Sequence, residues 1–176
     1  MSIICVSGVP GSGKTTLAKA VSTHIGCAYG SFGGYVRHCA KRRGLTADRA
    51  TLQQLGQDLV VKSPRQFCEA VIGWLKWQPG SELLLDGLRH ESVLDAMIEA
   101  VRPTAVRLLY VDVSADTQRS RLRERDATSD IAGLMSDVTE RDVQTKLRAR
   151  ADFIVRGEGR IEAIVAQVST WMQGNC

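Results

Sequence analysis

Residues 8–15 read Gly-Val-Pro-Gly-Ser-Gly-Lys-Thr and follow closely on the short apolar run Ile3–Val6. This spacing of glycines is typical of a loop that wraps phosphate, because glycine backbones let successive N–H groups converge on one anion. Lys14 adds a positive charge and Thr15 a hydroxyl suited to Mg²⁺. A strand before the loop and a helix after it complete the pattern, since the helix N-terminus also attracts the anion. The stretch predicts a binding site for a nucleoside triphosphate.

Length and composition limit what else the chain can be. Its 176 residues suit a single domain, 1–176, with a full hydrophobic core. The sequence has no long apolar stretch and no secretion signal, so we expect a cytoplasmic protein without membrane contact. The cysteines at 5, 27, 39, 68 and 176 form no C-x-x-C pair, and they predict reduced thiols and neither a disulfide framework nor a zinc site.

The basic residues of the chain cluster in two groups, and this clustering is more informative than the net charge. A formal net charge of +4 does not predict a general nucleic-acid-binding surface. Two groups of basic residues stand out, and each fits a solvated helix face. In a chain predicted to bind phosphate, we expect at least one residue of each group to contact phosphate. The groups are Arg37, Lys41, Arg42 and Arg43, and Arg119, Arg121, Arg123 and Arg125.

Apolar runs alternate with helical periodicity along the chain, which predicts an α/β fold of three layers, a five-stranded parallel sheet with helices on both faces. The predicted strands span 3–6, 27–29, 82–86, 106–113 and 151–155. The predicted helices span 14–25, 35–43, 46–61 capped by Thr46, 63–77 opened by Ser63-Pro64, 90–101, 116–125, 137–150 and 160–172. The polar residues from 126 predict a flap, a short lid over about 126–140.

The third predicted strand ends in the run Asp86-Gly87-Leu88-Arg89. Ligands collect at the carboxyl ends of parallel strands, so Asp86 should face the phosphate loop and hold Mg²⁺ through water. Arg89 is then placed to clamp an acceptor phosphate. A plain Asp-Gly turn followed by a solvated arginine fits the same residues.

Other arginines suit the acceptor and the transferred phosphate. Arg37 follows Gly33-Gly34-Tyr35-Val36 and would reach toward a second anion, although flexible glycines before an exposed basic helix explain the pattern nearly as well. Arg121 and Arg125 lie one helical turn apart before the flap, and Arg141 lies beyond it. Planar guanidinium groups neutralise the charge that phosphoryl transfer spreads over the γ-phosphate oxygens.

In their order and spacing these motifs resemble the nucleoside monophosphate kinases of the adenylate and cytidylate kinase type, across nearly the whole chain. The stretch from Ala151–Val155 to Gly159 is also similar to the end of dephospho-coenzyme A kinases and of small archaeal kinase-like proteins. Two positions depart from the adenylate kinase pattern. The segment Gly34-Tyr35 lacks the acid that adenylate kinases carry in Thr-Gly-Asp before the helix of their first acceptor arginine, and no proline precedes Arg89.

The resemblance implies an ATP- and Mg²⁺-dependent phosphotransferase whose acceptor is a nucleotide or a nucleotide-like small molecule. Positioning and charge neutralisation would supply most of the acceleration, because a nucleophilic phosphate is already ionised. It implies the following roles: Gly8, Gly11, Ser12, Gly13, Lys14, Thr15 and Thr16 on the ATP phosphates; Thr15 and Asp86 on Mg²⁺; Arg37 and Arg89 on the acceptor; Arg121 on the ATP base, Arg125 on its phosphates and Arg141 across the flap; and Arg156 to Gly159, with Gly157, along the adenine edge.

Several alternatives stay open. A set of aromatic residues either lines an acceptor pocket or belongs to the core, namely Tyr35, Phe32, Phe67, Trp74 and Trp77. The acceptor can instead be a hydroxyl group, of dephospho-coenzyme A or of a hydroxymethylated base in DNA, with Asp86 as the first candidate base and the Arg37–Arg43 group on the backbone. A regulatory ATPase switch without acceptor is a third function. The sequence leaves open the acceptor, the choice between ATP and GTP, and the oligomeric state.

Overall fold

The computed structural model describes residues 1–125 and 143–174, and an open α/β sheet organises them. The strands are β1 (Ser2–Ser7), β2 (Ala28–Ser31), β3 (Leu83–Asp86), β4 (Ala105–Asp112) and β5 (Phe153–Arg156). The helices are α1 (Lys14–Ile25), α2 (Phe32–Arg42), α3 (Arg49–Lys62), α4 (Pro64–Leu75), α5 (Glu91–Ala100), α6 (Ala115–Arg125), a π-helix (Val143–Leu147) and α7 (Ile161–Gln173).

All five strands run parallel in the order β2-β3-β1-β4-β5. This confirms the predicted five-stranded α/β fold. The register pairs Val6 of β1 with Asp86 of β3, and Ser31 of β2 with the same aspartate. The carboxyl ends of the three strands therefore meet at one edge, directly below the phosphate loop that leaves β1.

Alternating side chains of the strands feed two separate cores, one on each face of the sheet. Ile3 and Cys5 of β1 join a cluster with residues of α2, α3, α4 and α5. Ile4 and Val6 join a second cluster with residues of α1 and α7. This arrangement explains the unbroken apolar run Ile3–Val6 within β1, because a strand with helices on both faces has no solvent-facing side.

The start of α2 differs from the prediction. The helix begins at Phe32, three residues early, because the Ser31 hydroxyl accepts a hydrogen bond of 2.9 Å from the Gly34 N–H and caps the first turn. Gly33 and Gly34 therefore lie inside the helix, and the expected flexible lead-in was wrong. The cap predicted at Thr46 was also wrong, since α3 is capped by Asp48, whose carboxylate accepts from the Thr51 N–H at 2.9 Å.

The helix opened by Ser63 and Pro64 is confirmed, although it ends at Leu75 rather than near 77. Of the helix predicted over 137–150, the described part forms the π-helix, and the remainder lies outside the described residues, as does the lid. Cys5, Cys27, Cys39 and Cys68 are free thiols. Across residues 1–125 and 143–174, every helix is too short or too polar to cross a bilayer.

Candidate active site

The phosphate loop joins β1 to α1. Gly13 caps the helix with left-handed backbone angles (φ 83°) and supplies no side chain to bond the first-turn N–H groups. Those donors are therefore available to an anion at the positive end of the helix. The Lys14 ammonium donates to the Val9 carbonyl at 3.1 Å, and the Ser12 N–H closes the loop on the same carbonyl at 3.1 Å. The loop is preformed for phosphate.

Thr15 and Asp86 meet beside the loop. The Thr15 hydroxyl donates to Asp86 Oδ2 at 2.6 Å. Asp86 is only 4% exposed, and its other oxygen, Oδ1, is buried without a hydrogen-bond partner among the described residues. The segment after Asp86 is fixed, because the N–H groups of Gly87 and Leu88 both donate to the Val6 carbonyl, at 3.0 and 3.1 Å.

This pair fits a magnesium ion, which prefers oxygen ligands and retains several waters. A hydrated cation would satisfy the orphaned Asp86 Oδ1, whose burial without a partner is otherwise costly. Over the described ranges, no three His, Cys, Asp or Glu side chains cluster as metal ligands. An ion held by Thr15 and Asp86 would therefore take its remaining ligands from water and from the phosphates of the substrate.

Tyr29 is a site residue that the sequence reasoning missed. Its hydroxyl donates to Asp86 Oδ2 at 3.4 Å, so it shares that oxygen with Thr15. Burial raises the pKa of the Tyr29 phenol, and the neighbouring Asp86 charge raises it further, so the hydroxyl keeps its proton near neutral pH. The available signal was the place of Tyr29 on the strand beside β3, near the carboxyl end.

A cavity of about 260 Å³ opens on the other side of the loop. Arg121 of α6 closes one wall, since its guanidinium donates to the carbonyls of Gly11 (3.4 Å), Ser12 (3.2 Å) and Gly157 (2.8 Å). The guanidinium thus joins the phosphate loop to the turn after β5. The cavity is lined by Ser12, Gly13, Thr16, Leu17, Val111, Arg121, Gly157, Gly159, Ile161 and Ile164. Its mixture of apolar walls and a few polar groups suits a nucleotide base.

Gly157 lies where no side chain fits. A Cβ on this residue would stand 2.5 Å from the Ser12 carbonyl and 2.8 Å from Val111 Cγ1. The Gly157 N–H also donates to the Asp112 carbonyl at 2.8 Å. Arg156, the last residue of β5, is exposed beside it. The turn predicted to lie along the adenine edge therefore lies against the phosphate loop.

Glu158 fixes the same turn to the start of α6. Its carboxylate accepts from the Ser114 N–H at 2.8 Å. This bond lowers the pKa of Glu158 to about 2, because the N–H group stabilises the charged form. The cavity wall is thus held by Arg121 at one point and by Glu158 at another.

Of the two arginines predicted to hold the acceptor, Arg37 lies near Tyr29, on the side of Asp86 away from the cavity. Arg37 of α2 is exposed, and its guanidinium lies 3.9 Å from the position that a Cβ on Gly33 would take. The side chain therefore points back along α2 toward the end of β2, where its positive charge acts on the Tyr29 phenol. Arg89 is exposed, three residues beyond Asp86.

Tyr35 belongs to an aromatic cluster between α2 and α4. Its ring centroid lies 5.9 Å from that of Phe67 and 5.8 Å from that of Trp74, and His38 lies 5.7 Å from Trp74. Phe32 and Phe67 are buried in the core, whereas Trp74 is 37% exposed. The described contacts of Tyr35 run to this cluster and not to Thr15 or Asp86. The Trp77 indole donates to the Ser81 carbonyl at 3.0 Å.

The other predicted site residues, Arg125 and Arg141, cannot be placed relative to the site from the described part of the chain. Arg125 ends α6, but its side chain lies outside the described part of the structure, as do Arg141 and the lid over 126–140. Arg148, which the sequence reasoning passed over, pairs at 3.0 Å with Asp112 at the carboxyl end of β4. Because Asp112 follows the cavity-lining Val111 on β4, this pair lies at the carboxyl end of the strand on the face of the sheet away from the cavity.

Comparisons with known proteins identify the family. Residues 4–145 match the family model described as an AAA domain, and the chain belongs to this family. A UPF0200 protein of Pyrobaculum aerophilum is 31% identical over 166 residues, covering 90% of this chain and 88% of that protein. A cytidylate kinase of the same organism is 30% identical over 149 residues, covering 84% and 73%. The chain is a P-loop kinase.

The solved structures agree on the fold of this P-loop kinase. Shikimate kinase from Bacteroides thetaiotaomicron superposes with a TM-score of 0.64 at 17% identity and 98% coverage of both chains. Shikimate kinase from Aquifex aeolicus gives 0.60 at 18% identity, covering 98% of this chain and 97% of the other. These structures confirm the predicted fold, while the family match and the sequence relatives confirm the predicted superfamily and a phosphotransferase activity.

Proposed function

We propose that this P-loop kinase transfers the γ-phosphoryl group of ATP, with Mg²⁺, to the phosphate of a nucleotide or nucleotide-like acceptor. One observation carries the proposal: the Thr15 hydroxyl and the buried Asp86 carboxylate meet 2.6 Å apart beside a preformed phosphate loop, with one carboxylate oxygen unpaired within the described residues. The similarity to cytidylate kinases supports a nucleotide as acceptor.

The donor occupies the cavity side in this proposal. The base lies in the cavity beside Arg121, and the phosphates lie along Gly8, Gly11, Ser12, Gly13, Lys14, Thr15 and Thr16. Arg121 already lines the cavity and fixes the loop, so the donor meets a wall that is ordered before binding. Magnesium, when bound at Thr15 and Asp86, neutralises charge on the phosphate oxygens.

The acceptor enters from the side of Tyr29 and Arg37, with Arg89 as a second arginine. A phosphate oxygen of the acceptor attacks the γ-phosphorus, the bond from this phosphorus to the β–γ bridging oxygen breaks, and ADP leaves with the electrons of that bond. Lys14 and the N–H groups at the start of α1 stabilise the charge that spreads over the transferred group. Arg125 and Arg141 would neutralise the same charge.

The proposal is tested by incubating the protein with γ-labelled ATP and Mg²⁺ and a panel of acceptors. The panel holds ribo- and deoxynucleoside monophosphates, dephospho-coenzyme A, and ordinary and hydroxymethylated DNA. We expect label on one or more nucleoside monophosphates. Label only on a hydroxyl acceptor would replace the proposed substrate class and make Asp86 the candidate base.

The switch alternative gives a different result in the same assay. A regulatory ATPase would release labelled phosphate at a rate that no acceptor changes, and Arg37→Ala and Arg89→Ala would leave that rate unaltered. This outcome would contradict phosphoryl transfer to an acceptor while keeping the nucleotide site.

A further inference from the structure

Five basic residues between positions 37 and 49 are exposed and have no acidic partner within the part of the chain that the structure describes. Most arginines elsewhere in the described residues have a partner: Arg65 pairs with Glu69 at 2.9 Å, Arg102 with Glu99 at 2.6 Å, and Arg150 with Asp95 at 2.7 Å. Over residues 1–125 and 143–174, no hydrogen bond or ion pair links an acid to the side chains of what we call the basic face, namely Arg37, Lys41, Arg42, Arg43 and Arg49.

The sequence offers this face no internal neutralisation. From 37 to 49 the only acidic residue is Asp48. Its carboxylate is already engaged, since it accepts from the Thr51 N–H and hydroxyl at 2.9 and 2.7 Å and from the Thr46 hydroxyl. The five positive charges are therefore exposed without an acidic counter-charge among the described residues, and their mutual repulsion favours an anion as ligand.

Helix geometry orders these charges beside aromatic rings. Residues four apart lie on one side of a helix, so Gly33, Arg37 and Lys41 form one row and Gly34, His38 and Arg42 form the adjacent row. The Trp74 indole covers Gly34, at 3.2 Å from where its Cβ would stand, and lies 5.7 Å from the His38 ring. Partly exposed rings thus alternate with cations along α2.

The basic face is continuous with the acceptor side of the cleft. The Arg37 side chain points back over Gly33 toward Tyr29. From Arg37 the basic face extends to Arg43, a distance of about 9 Å along the axis of α2 at 1.5 Å per residue. A single acceptor phosphate would contact only Arg37, the residue of the basic face nearest the cleft. The remaining cations fit an acceptor that carries further phosphates beyond the cleft.

We propose that the basic face binds the phosphate backbone of a single-stranded nucleic acid, whose terminal nucleotide, carrying a phosphate monoester, enters the acceptor side of the cleft. This rests on the proposed function and names its substrate class. Cations that follow the backbone next to aromatic rings that stack on bases are the combination with which proteins bind single strands. Trp74, at 37% exposure, is the ring that is open to a base.

The test is fluorescence anisotropy of a fluorescein-labelled oligothymidylate over a range of salt concentrations. The variant is the triple substitution Lys41→Ala, Arg42→Ala and Arg43→Ala. Three lost phosphate contacts should reduce the magnitude of the salt slope by about 2 and weaken binding at low salt by about tenfold or more. The matched control is Arg65→Ala, Arg102→Ala and Arg160→Ala, which removes three exposed, paired arginines and should change affinity by less than about twofold.

Three results would overturn the proposal. These are no oligonucleotide binding at low salt, an equal loss in the control variant, or binding only to phosphatidylserine vesicles. Thermal melting followed by circular dichroism verifies the fold of both variants. If the triple variant has a lower melting temperature than the wild type, the single substitution Lys41→Glu replaces it in the binding measurement. Label transfer to nucleoside monophosphates without oligonucleotide binding removes this proposal and keeps the proposed function. Oligonucleotide binding without label transfer to any acceptor removes the proposed function and leaves the basic face as a nucleic-acid-binding surface only.

Discussion

The two sides of the cleft hold their arginines in opposite ways. On the donor side, Arg121 donates to three backbone carbonyls, and the turn that it contacts is fixed again by Glu158. On the acceptor side, Arg37 and Arg42 have no such partners among the described residues. Groups that bond to their own chain fix the shape of a cavity in advance, whereas groups left free keep their charge for a ligand. This difference fits a donor site whose shape is fixed before ATP binds and an acceptor site whose positive charges are neutralised only when the acceptor binds.

The largest expected effect concerns the charge at the centre of the donor side. Lys14→Ala should lower the rate of transfer by about 10²- to 10³-fold, as loss of one preorganised donor does, without changing the melting temperature greatly. Initial rates with γ-labelled ATP at saturation measure the first quantity and circular dichroism the second. Lys62→Ala, an exposed lysine at the end of α3, is the control and should retain full activity. Full activity in Lys14→Ala would remove the phosphate loop from the reaction.

A smaller effect tests whether the donor side is rigid through close packing. Gly157→Ala forces a Cβ to within 2.5 Å of the Ser12 carbonyl, and such overpacking costs about 1–3 kcal/mol and should shift the loop. We expect a lower free energy of unfolding in urea and a raised KM for ATP. Gly73→Ala is the control, since nothing lies within 4 Å of its Cβ on α4, and it should stabilise the protein slightly. Equal effects of Gly157→Ala and Gly73→Ala on the free energy of unfolding would refute the close contact between Gly157 and the Ser12 carbonyl.

The smallest effect is a pH dependence. The pKa of Glu158 lies at about 2 in the folded protein against an ordinary 4.5, so its contribution to stability is present above pH 4.5 and is lost as the pH falls toward 2. Glu158→Gln should therefore melt below the wild type at pH 6, with a gap that closes on acidification. Glu162→Gln controls for the loss of one exposed carboxylate. A gap that stays constant down to pH 2 would contradict the Ser114 bond.

Much of the donor side is predictable from sequence because its determinants are local. The phosphate loop is a contiguous run, and α1 begins and ends where its glycine caps predict. The approach of Asp86 to the phosphate loop was predicted from the general rule that ligands lie at the carboxyl ends of parallel strands. The residues of the loop and of β3 were placed by patterns that need no knowledge of the remaining chain.

The contacts that were missed depend on distant partners. Tyr29 reaches Asp86 across a strand pair, and Arg121 bonds to carbonyls, which no side-chain pattern records. The start of α2 was misplaced because the Ser31 cap outweighs the low helix propensity of Gly33 and Gly34. The sequence left Tyr35 open between an acceptor pocket and the core, because its contacts are set by α4, which is distant in the chain.

The central claim is that donor and acceptor bind on opposite sides of Asp86, and one kinetic comparison tests it most directly. Initial rates of label transfer are measured for the wild type, Arg121→Ala and Arg37→Ala, with ATP and the best acceptor of the panel varied in turn. The account predicts that Arg121→Ala raises the KM for ATP by tenfold or more on the scale of a lost charged hydrogen bond, and that Arg37→Ala raises the KM for the acceptor instead. The claim is contradicted if both variants raise the KM for the same substrate.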